Sequence, residues 1–583
     1  MLRHRLMHVT MVFALAAVAF APAVNAASAA APVKLILTSG QGDIPTADPA
    51  LTSDTSSSQI VTMTHTELIR ADETDLSKPL IPALAEKWET SDGGKTITFH
   101  IRKDISWVKW DTATNAVVQV MGADGKPAMV TAHDFEYGVK RLLNPATASN
   151  YAYAFTSIIV GADKFNAYAP PVPAGGTPDP NATPDAAVVK QLSDAVGVKA
   201  TDDTTLVVNL QQPFAFALGI LSLPNIAAQP QAAIEKFGDK WTEPGNAYSY
   251  GPYVISEWKH DTSMTLTKNP FWPGMQNSPK PAIDQIQFLM IDTAPSFDNY
   301  QQGTVDVTGV PLAQHDKVAA DPVLSKQLYT APTYCTYYYG FNITKSPVDD
   351  QRVRLALSES IDRASLVKNV TKTGEPARWM GRPGLAFAPT MATSPELGVG
   401  FNVADAKKQL QSYLDEKKLT IDTFPALDLS LNVSEGHAKI AQAIQQMWQD
   451  NLGIKATVTQ QEWKVYLKTL STDPATVWRL GWCLDYADEN NFLKDVWYST
   501  SSQNYGKYNS PTFDKLVDQA AVETNAAKRA DEYKKAEDQL VKVDAAMIPI
   551  YWYTSFGLTK PYVHRTHSLD YNERLEKWTV DAH

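Results

Sequence analysis

Few side chains in this sequence are spaced for catalysis. There is no His-Glu-x-x-His, no Gly-x-Ser-x-Gly and no Cys/His cluster at zinc spacing, so nothing nominates a nucleophile, a general base or a metal cage. Gly93-Gly94-Lys95-Thr96 resembles the end of a phosphate-binding loop, but Glu89 stands where its first glycine is needed. Thr96 also opens a strand-like run rather than a helix, so a hairpin turn is expected there. His133 sits among helix-capping residues and reads as structural. Asp485 lies in the polar run Asp485-Tyr486-Ala487-Asp488-Glu489, which by composition alone is an exposed acidic loop. There are two cysteines, Cys335 and Cys483. They are either a disulfide or two buried thiols, and export would permit the former.

The elements that must position these residues alternate in type. Ile97, Phe99 and Ile101 recur at period two, as do Leu206, Val208 and Leu210, and Ile286, Phe288 and Met290. Thr131 and Asp134 form a capping box ahead of the helical face Phe135, Val139, Leu142 and Leu143. Ile440, Ile444, Met447 and Trp448 make a second such face, which Gly453 should end before a strand starting at Ile454. Phe513, Leu516, Val517 and Ala520 mark a third. The expected class is α/β with several sheets. The Pro/Gly-rich stretch 169–187 cannot form a core. It is expected as an exposed insertion in one lobe rather than a linker, because strand-like sequence resumes at Val196.

At 583 residues the chain has room for several domain-sized units, and 44% hydrophobic residues suffice for a large core. A net charge of −11 and no dense Lys/Arg run count against a nucleic-acid partner. Arg3, His4 and Arg5 precede the apolar run 11–21, and Val24-Asn25-Ala26 follows with small residues at cleavage positions. That is the plan of a signal peptide over 1–26. The run falls short of the ~20 apolar residues that span a bilayer. No cysteine follows it, so no lipid is expected, and the mature chain should start near Ala27 in the periplasm, or be secreted if no outer membrane exists.

Several stretches occur in the order found in the peptide/nickel class of extracellular solute-binding proteins. They are Thr46-Ala47-Asp48-Pro49-Ala50, 82–89 (Pro-Ala-Leu-Ala-Glu-Lys-Trp-Glu), Thr98-Phe99-His100-Ile101-Arg102 and 130–135 (Val-Thr-Ala-His-Asp-Phe). Gly251-Pro252-Tyr253, Lys268-Asn269-Pro270, Gly303-Thr304-Val305-Asp306, 350–354 (Asp-Gln-Arg-Val-Arg) and Ile361-Asp362-Arg363 continue the series. Each motif is weak alone; the ordered set is specific. Within the class the sequence most resembles periplasmic oligopeptide-binding proteins, through Cys335-Thr336-Tyr337-Tyr338-Tyr339, Gln461-Glu462-Trp463-Lys464 and Gly481-Trp482-Cys483-x-Asp485-Tyr486.

The resemblance implies a two-lobed periplasmic-binding-protein-like fold with hinge strands and an additional domain in the N-terminal half. The expected division is 27–65, 197–334 and 552–583 in one lobe, 66–196 in the extra domain and 335–551 in the other lobe. It implies a Cys335–Cys483 disulfide, no cofactor, no metal and no catalytic residues. The implied ligand is a short peptide held between closing lobes, by a monomer that serves the permease and ATPase of an ABC transporter. Asp485 would pair with the peptide ammonium. Gly481, Trp482 and Cys483 would hold the ligand backbone, with Thr55 facing them. Trp463 and Trp482 would wall side-chain pockets, or else pack the core, and Tyr151 and Tyr338 match further family contacts. Arg479 and His437 would meet the carboxylate end, although His437 also fits a helix-surface residue. Leu470 departs from the pattern, where relatives carry a second Arg. Alternatives are a non-peptide cargo (an oligosaccharide, a nickel chelate or haem), an exported peptidase, or a peptide-holding chaperone.

Overall fold

A computed structural model describes residues 32–583 except residue 41 and residues 171–183. The expected signal peptide and the centre of the Pro/Gly-rich stretch lie outside the described residues. The alternating runs are strands: Thr96–Ile101 buries Ile97, Phe99 and Ile101 and leaves the residues between them partly exposed. Gly93 (φ 65°) and Gly94 (φ 95°) turn the chain between Ala85–Ser91 and Thr96–Ile101, which pair as a hairpin. The Thr131 amide donates to Asp134 at 2.8 Å and starts the helix Ala132–Leu143. Gly453 (φ 74°) ends the helix Glu435–Leu452, and Ala456–Gln461 follows as a strand.

Three larger sheets organise the chain. In the first, Lys34–Thr38 runs parallel to Gln285–Leu289, which continues antiparallel into Ser263–Lys268 and Tyr253–Lys259. Val563, Leu575 and Trp578 from the C-terminal tail pack into its core. Three distant stretches therefore build one unit. The second sheet has the order Ala85–Ser91, Thr96–Ile101, Thr205–Asn209, Val198–Asp202. The sheet therefore crosses the boundary expected at residue 196: Thr205–Asn209 hydrogen-bonds to Thr96–Ile101, and Val198–Asp202 joins it through Thr205–Asn209.

The third sheet is built on two long antiparallel strands, Leu328–Phe341 and Met547–Thr559. Their ladder breaks between Pro332 and Thr336. On one side Val307–Gly309 joins the sheet; on the other come Val477–Cys483, Leu427–Asn432 and Ala456–Gln461. The two strands thus pass from one half of the molecule into the other. Just beyond the break, Cys335 and Cys483 face each other across neighbouring strands and are joined by a disulfide. Among the described residues no helix is long and apolar enough to cross a membrane.

Candidate functional site

A cavity of about 410 Å³ lies where these parts meet. Thr55, Tyr151, His437, Trp463, Arg479, Gly481, Trp482, Cys483 and Asp485 all border it. Tyr338 does not. On Leu328–Phe341 neighbouring side chains take opposite faces, and Tyr338 is fully buried against Trp478 and Trp497, away from the cavity. Leu470 is also a fully buried core residue outside the cavity lining, one helical turn from Leu467, which borders the cavity.

The strand Val477–Cys483 presents a free edge to the cavity. Its neighbour Leu427–Asn432 pairs with Val477 and Trp478 and then diverges. The Cα atoms of Cys335 and Cys483 are 4.0 Å apart, the spacing of a non-hydrogen-bonded antiparallel pair. The N–H and C=O of Cys483 therefore point away from Cys335. Alternation gives Gly481 and Arg479 the same direction. The Arg479 backbone is already satisfied: its N–H donates to the Tyr466 hydroxyl at 3.0 Å, which donates back to its carbonyl at 2.7 Å. Gly481 and Cys483 remain as a short open ladder. A Cβ at Gly481 would stand 2.9 Å from the Tyr553 hydroxyl and 3.5 Å from the Arg479 guanidinium, so no larger residue fits without displacement.

Asp485 stands two residues beyond this ladder. Its carboxylate accepts from the Tyr151 hydroxyl at 3.3 Å and from Asn491 Nδ2 at 3.0 Å, and has no cationic partner among the described residues. Burial pushes its pKa up to about 7, with Asn491 opposing and Asp495 adding to the rise. A raised carboxyl favours the folded state fully below its ordinary value near 3.8 and loses that contribution as pH rises through about 7. An arriving ammonium reverses this preference for the neutral form. Binding of free-amine peptides should therefore weaken below pH 7, by up to about tenfold per pH unit. It should also weaken above about pH 8, where the amine loses its proton. Calorimetry from pH 5 to 9 checks this; a flat profile below pH 7 contradicts it.

Arg479 supplies the opposite charge. Its guanidinium donates to Asn432 Oδ1 at 3.1 Å and to the Tyr553 hydroxyl at 2.6 Å, and lies 4.4 Å over the Tyr337 ring. It meets no carboxylate among the described residues, although it is only 6% exposed. His437, in the first turn of Glu435–Leu452, packs its ring at a tilt against Tyr337, 5.6 Å between centroids. Burial, then the nearby Arg479, hold its pKa well below the usual value, so it is neutral and polar rather than cationic.

Trp463 and Trp482 each border the cavity and also join the core. Trp463 Nε1 reaches Asp54 Oδ1 at 3.4 Å, and Trp482 Nε1 reaches Asn491 Oδ1 at 3.2 Å. Asp54 also caps the helix Thr55–Thr64, which places Thr55 at the cavity. Sequence reasoning missed Asp54, Asn491, Tyr553 and Tyr571. Asp54 alone carried a signal, as an N-cap before a helical run.

Contacts cross the cleft from both sides. Trp463 meets Asp54, the Glu435 amide donates to Asp292 at 3.2 Å, and Lys372 pairs with Asp316 at 2.6 Å. The chain superposes on the murein tripeptide-binding protein MppA of Escherichia coli with a TM-score of 0.79 at 28% identity, covering 95% of this chain and 99% of that one. Against the unliganded open form of MppA the TM-score is 0.58, at the same identity and over 95% and 98% of the two chains. The arrangement therefore differs from that open form. The periplasmic oligopeptide-binding protein OppA of Salmonella typhimurium is 33% identical over 83% of this chain and 81% of its own length. The probable deoxycholate-binding periplasmic protein YgiS of Escherichia coli is 31% identical over 94% and 93%. Residues 79–504 match the model of the bacterial extracellular solute-binding proteins, family 5. With that match and these relatives, the chain belongs to family 5 of the bacterial extracellular solute-binding proteins.

Proposed function

We propose that this protein is the substrate-binding component of an ABC importer that captures short peptides outside the cytoplasm and delivers them to a membrane permease and its ATPase. The observation that carries this reading is the pair of unmatched charges flanking an open strand edge. A peptide of any sequence offers an ammonium, a carboxylate and a backbone. Asp485 suits the first, Arg479 the second and Gly481–Cys483 the third, by strand addition. A buried charge without a partner is costly, and a ligand carrying the opposite charges at its two ends removes both costs. From Gly481, beside which the Arg479 guanidinium lies, to Asp485 is roughly 13 Å at about 3.3 Å per residue, the length of a three- or four-residue peptide.

A bile acid such as deoxycholate offers a carboxylate but no ammonium, and would leave Asp485 unmatched. An oligosaccharide or haem likewise brings no ammonium to it. Export follows from the N-terminal segment, with cleavage after Ala26. The protein acts as a monomer, with the lobes closing over the ligand as a hinge. Small-angle X-ray scattering tests the cycle. Ligand-stripped protein should show a larger radius of gyration than protein saturated with a tripeptide, because only the closed state touches the ligand from both sides. An unchanged radius, with binding confirmed by calorimetry, contradicts ligand-driven closure.

A further inference from the structure

A second cavity, of about 520 Å³, opens beside the first. Ser39, Thr55, Ser56, Thr293, Tyr553 and Tyr571 border both, whereas Asp485 and Arg479 border the first cavity but not the second. Tyr553 receives the Arg479 hydrogen bond, so the two spaces join at the arginine end of the cleft. We propose that this chamber receives the downstream residues of peptides longer than about four, whose chain continues past Arg479 instead of ending there. The inference rests on the peptide reading above.

Three features carry it. The chamber is amphipathic: Ile44, Ile60, Phe288 and Leu575 meet hydroxyls of Thr38 and Ser555. It is also electrically balanced, since its cation Arg565 pairs with Glu573 at 2.6 Å and lies over the Tyr329 and Trp578 rings. A neutral wall of mixed polarity suits a peptide backbone with varied side chains better than a single charged group. Second, five residues around it, Tyr329, Arg565, Ser568, Glu573 and Trp578, each hold a buried polar atom with no partner among the described residues. All five of these residues also border the cavity. Buried polar atoms left without a partner call for one, and small rotations of these side chains would offer them the amides of a guest. Third, Tyr571 at the shared rim has a left-handed backbone (φ 73°), a conformation disfavoured for a non-glycine residue that tends to mark ligand clamps.

The test fills the chamber without touching the cleft. Ser555→Phe on Met547–Thr559 and, independently, Thr38→Phe on Lys34–Thr38 each place a ring in the space. Calorimetry then compares trialanine with a nonapeptide that begins Ala-Ala-Ala. Both variants should bind trialanine within about twofold of the wild type, which also reports intact folding, and should lose the nonapeptide by at least about tenfold. Equal losses for the two peptides, or none for the nonapeptide, would overturn the role of the chamber and leave the peptide reading standing. A wild type that binds neither peptide would overturn both.

Discussion

Asp485→Asn is expected to weaken binding of free-amine peptides by about 30-fold or more. Truncating one partner of a buried, hydrogen-bonded charge pair costs about 2–5 kcal/mol, at ~1.4 kcal/mol per tenfold. Tyr151 and Asn491 already hold this carboxylate, so asparagine keeps the shape and part of the hydrogen bonding while removing the charge. N-acetylated peptides should bind the wild type poorly, because they bring no cation to a carboxyl that burial disfavours. The two losses should not add: once the charge is gone, acetylation has little left to remove. A cycle with the mutation on one axis and acetylation on the other isolates the coupling. Additive losses would mean that Asp485 does not meet the amine. The acid-side weakening described above should vanish in the same variant.

The second large effect concerns the disulfide. Cys335 and Cys483 are 148 residues apart in sequence, and the chain-entropy model assigns about 5 kcal/mol to a loop of that length, with about 2–5 kcal/mol typical for native disulfides. The bond joins the long strand Leu328–Phe341 to the open ladder of Gly481 and Cys483, so it also fixes the register of the edge that meets the ligand. Cys335→Ala/Cys483→Ala should lower unfolding stability in urea by at least about 2 kcal/mol. A loss below about 0.5 kcal/mol would contradict a structural role for this crosslink. Alkylation of oxidised, denatured wild type should find no free thiol.

What the sequence revealed and what it hid have separate physical reasons. Half-buried strands and amphipathic helices write their periods locally, so Thr96–Ile101, Ala132–Leu143 and the stop at Gly453 were readable from the chain alone. Asp485 was not readable by composition, which favoured an exposed loop; the Gly-Trp-Cys-x-Asp pattern singled it out. That Tyr338 does not border the cavity was not readable, because three consecutive tyrosines give no cue to which face each takes, and a shift of one residue reverses the face. Tyr337, on the other face, carries the Arg479 guanidinium over its ring. The sheet that runs across residue 196 was not readable because Thr205–Asn209 pairs with Thr96–Ile101, a strand a hundred residues earlier, and Val198–Asp202 joins through it, which no local signal reports. Tyr553 and Tyr571 reach the cavity from the end of the chain, again through contacts distant in sequence.

The central claim is that this cleft selects peptides by their free amino end. Native mass spectrometry of ligand-stripped protein, offered an equimolar mixture of a tripeptide, its N-acetylated form, maltotriose and deoxycholate, tests it most directly. The account predicts one dominant adduct, at the mass of the intact free-amine tripeptide. An adduct of deoxycholate or maltotriose, equal occupancy by the acetylated peptide, or a cleaved tripeptide would contradict it.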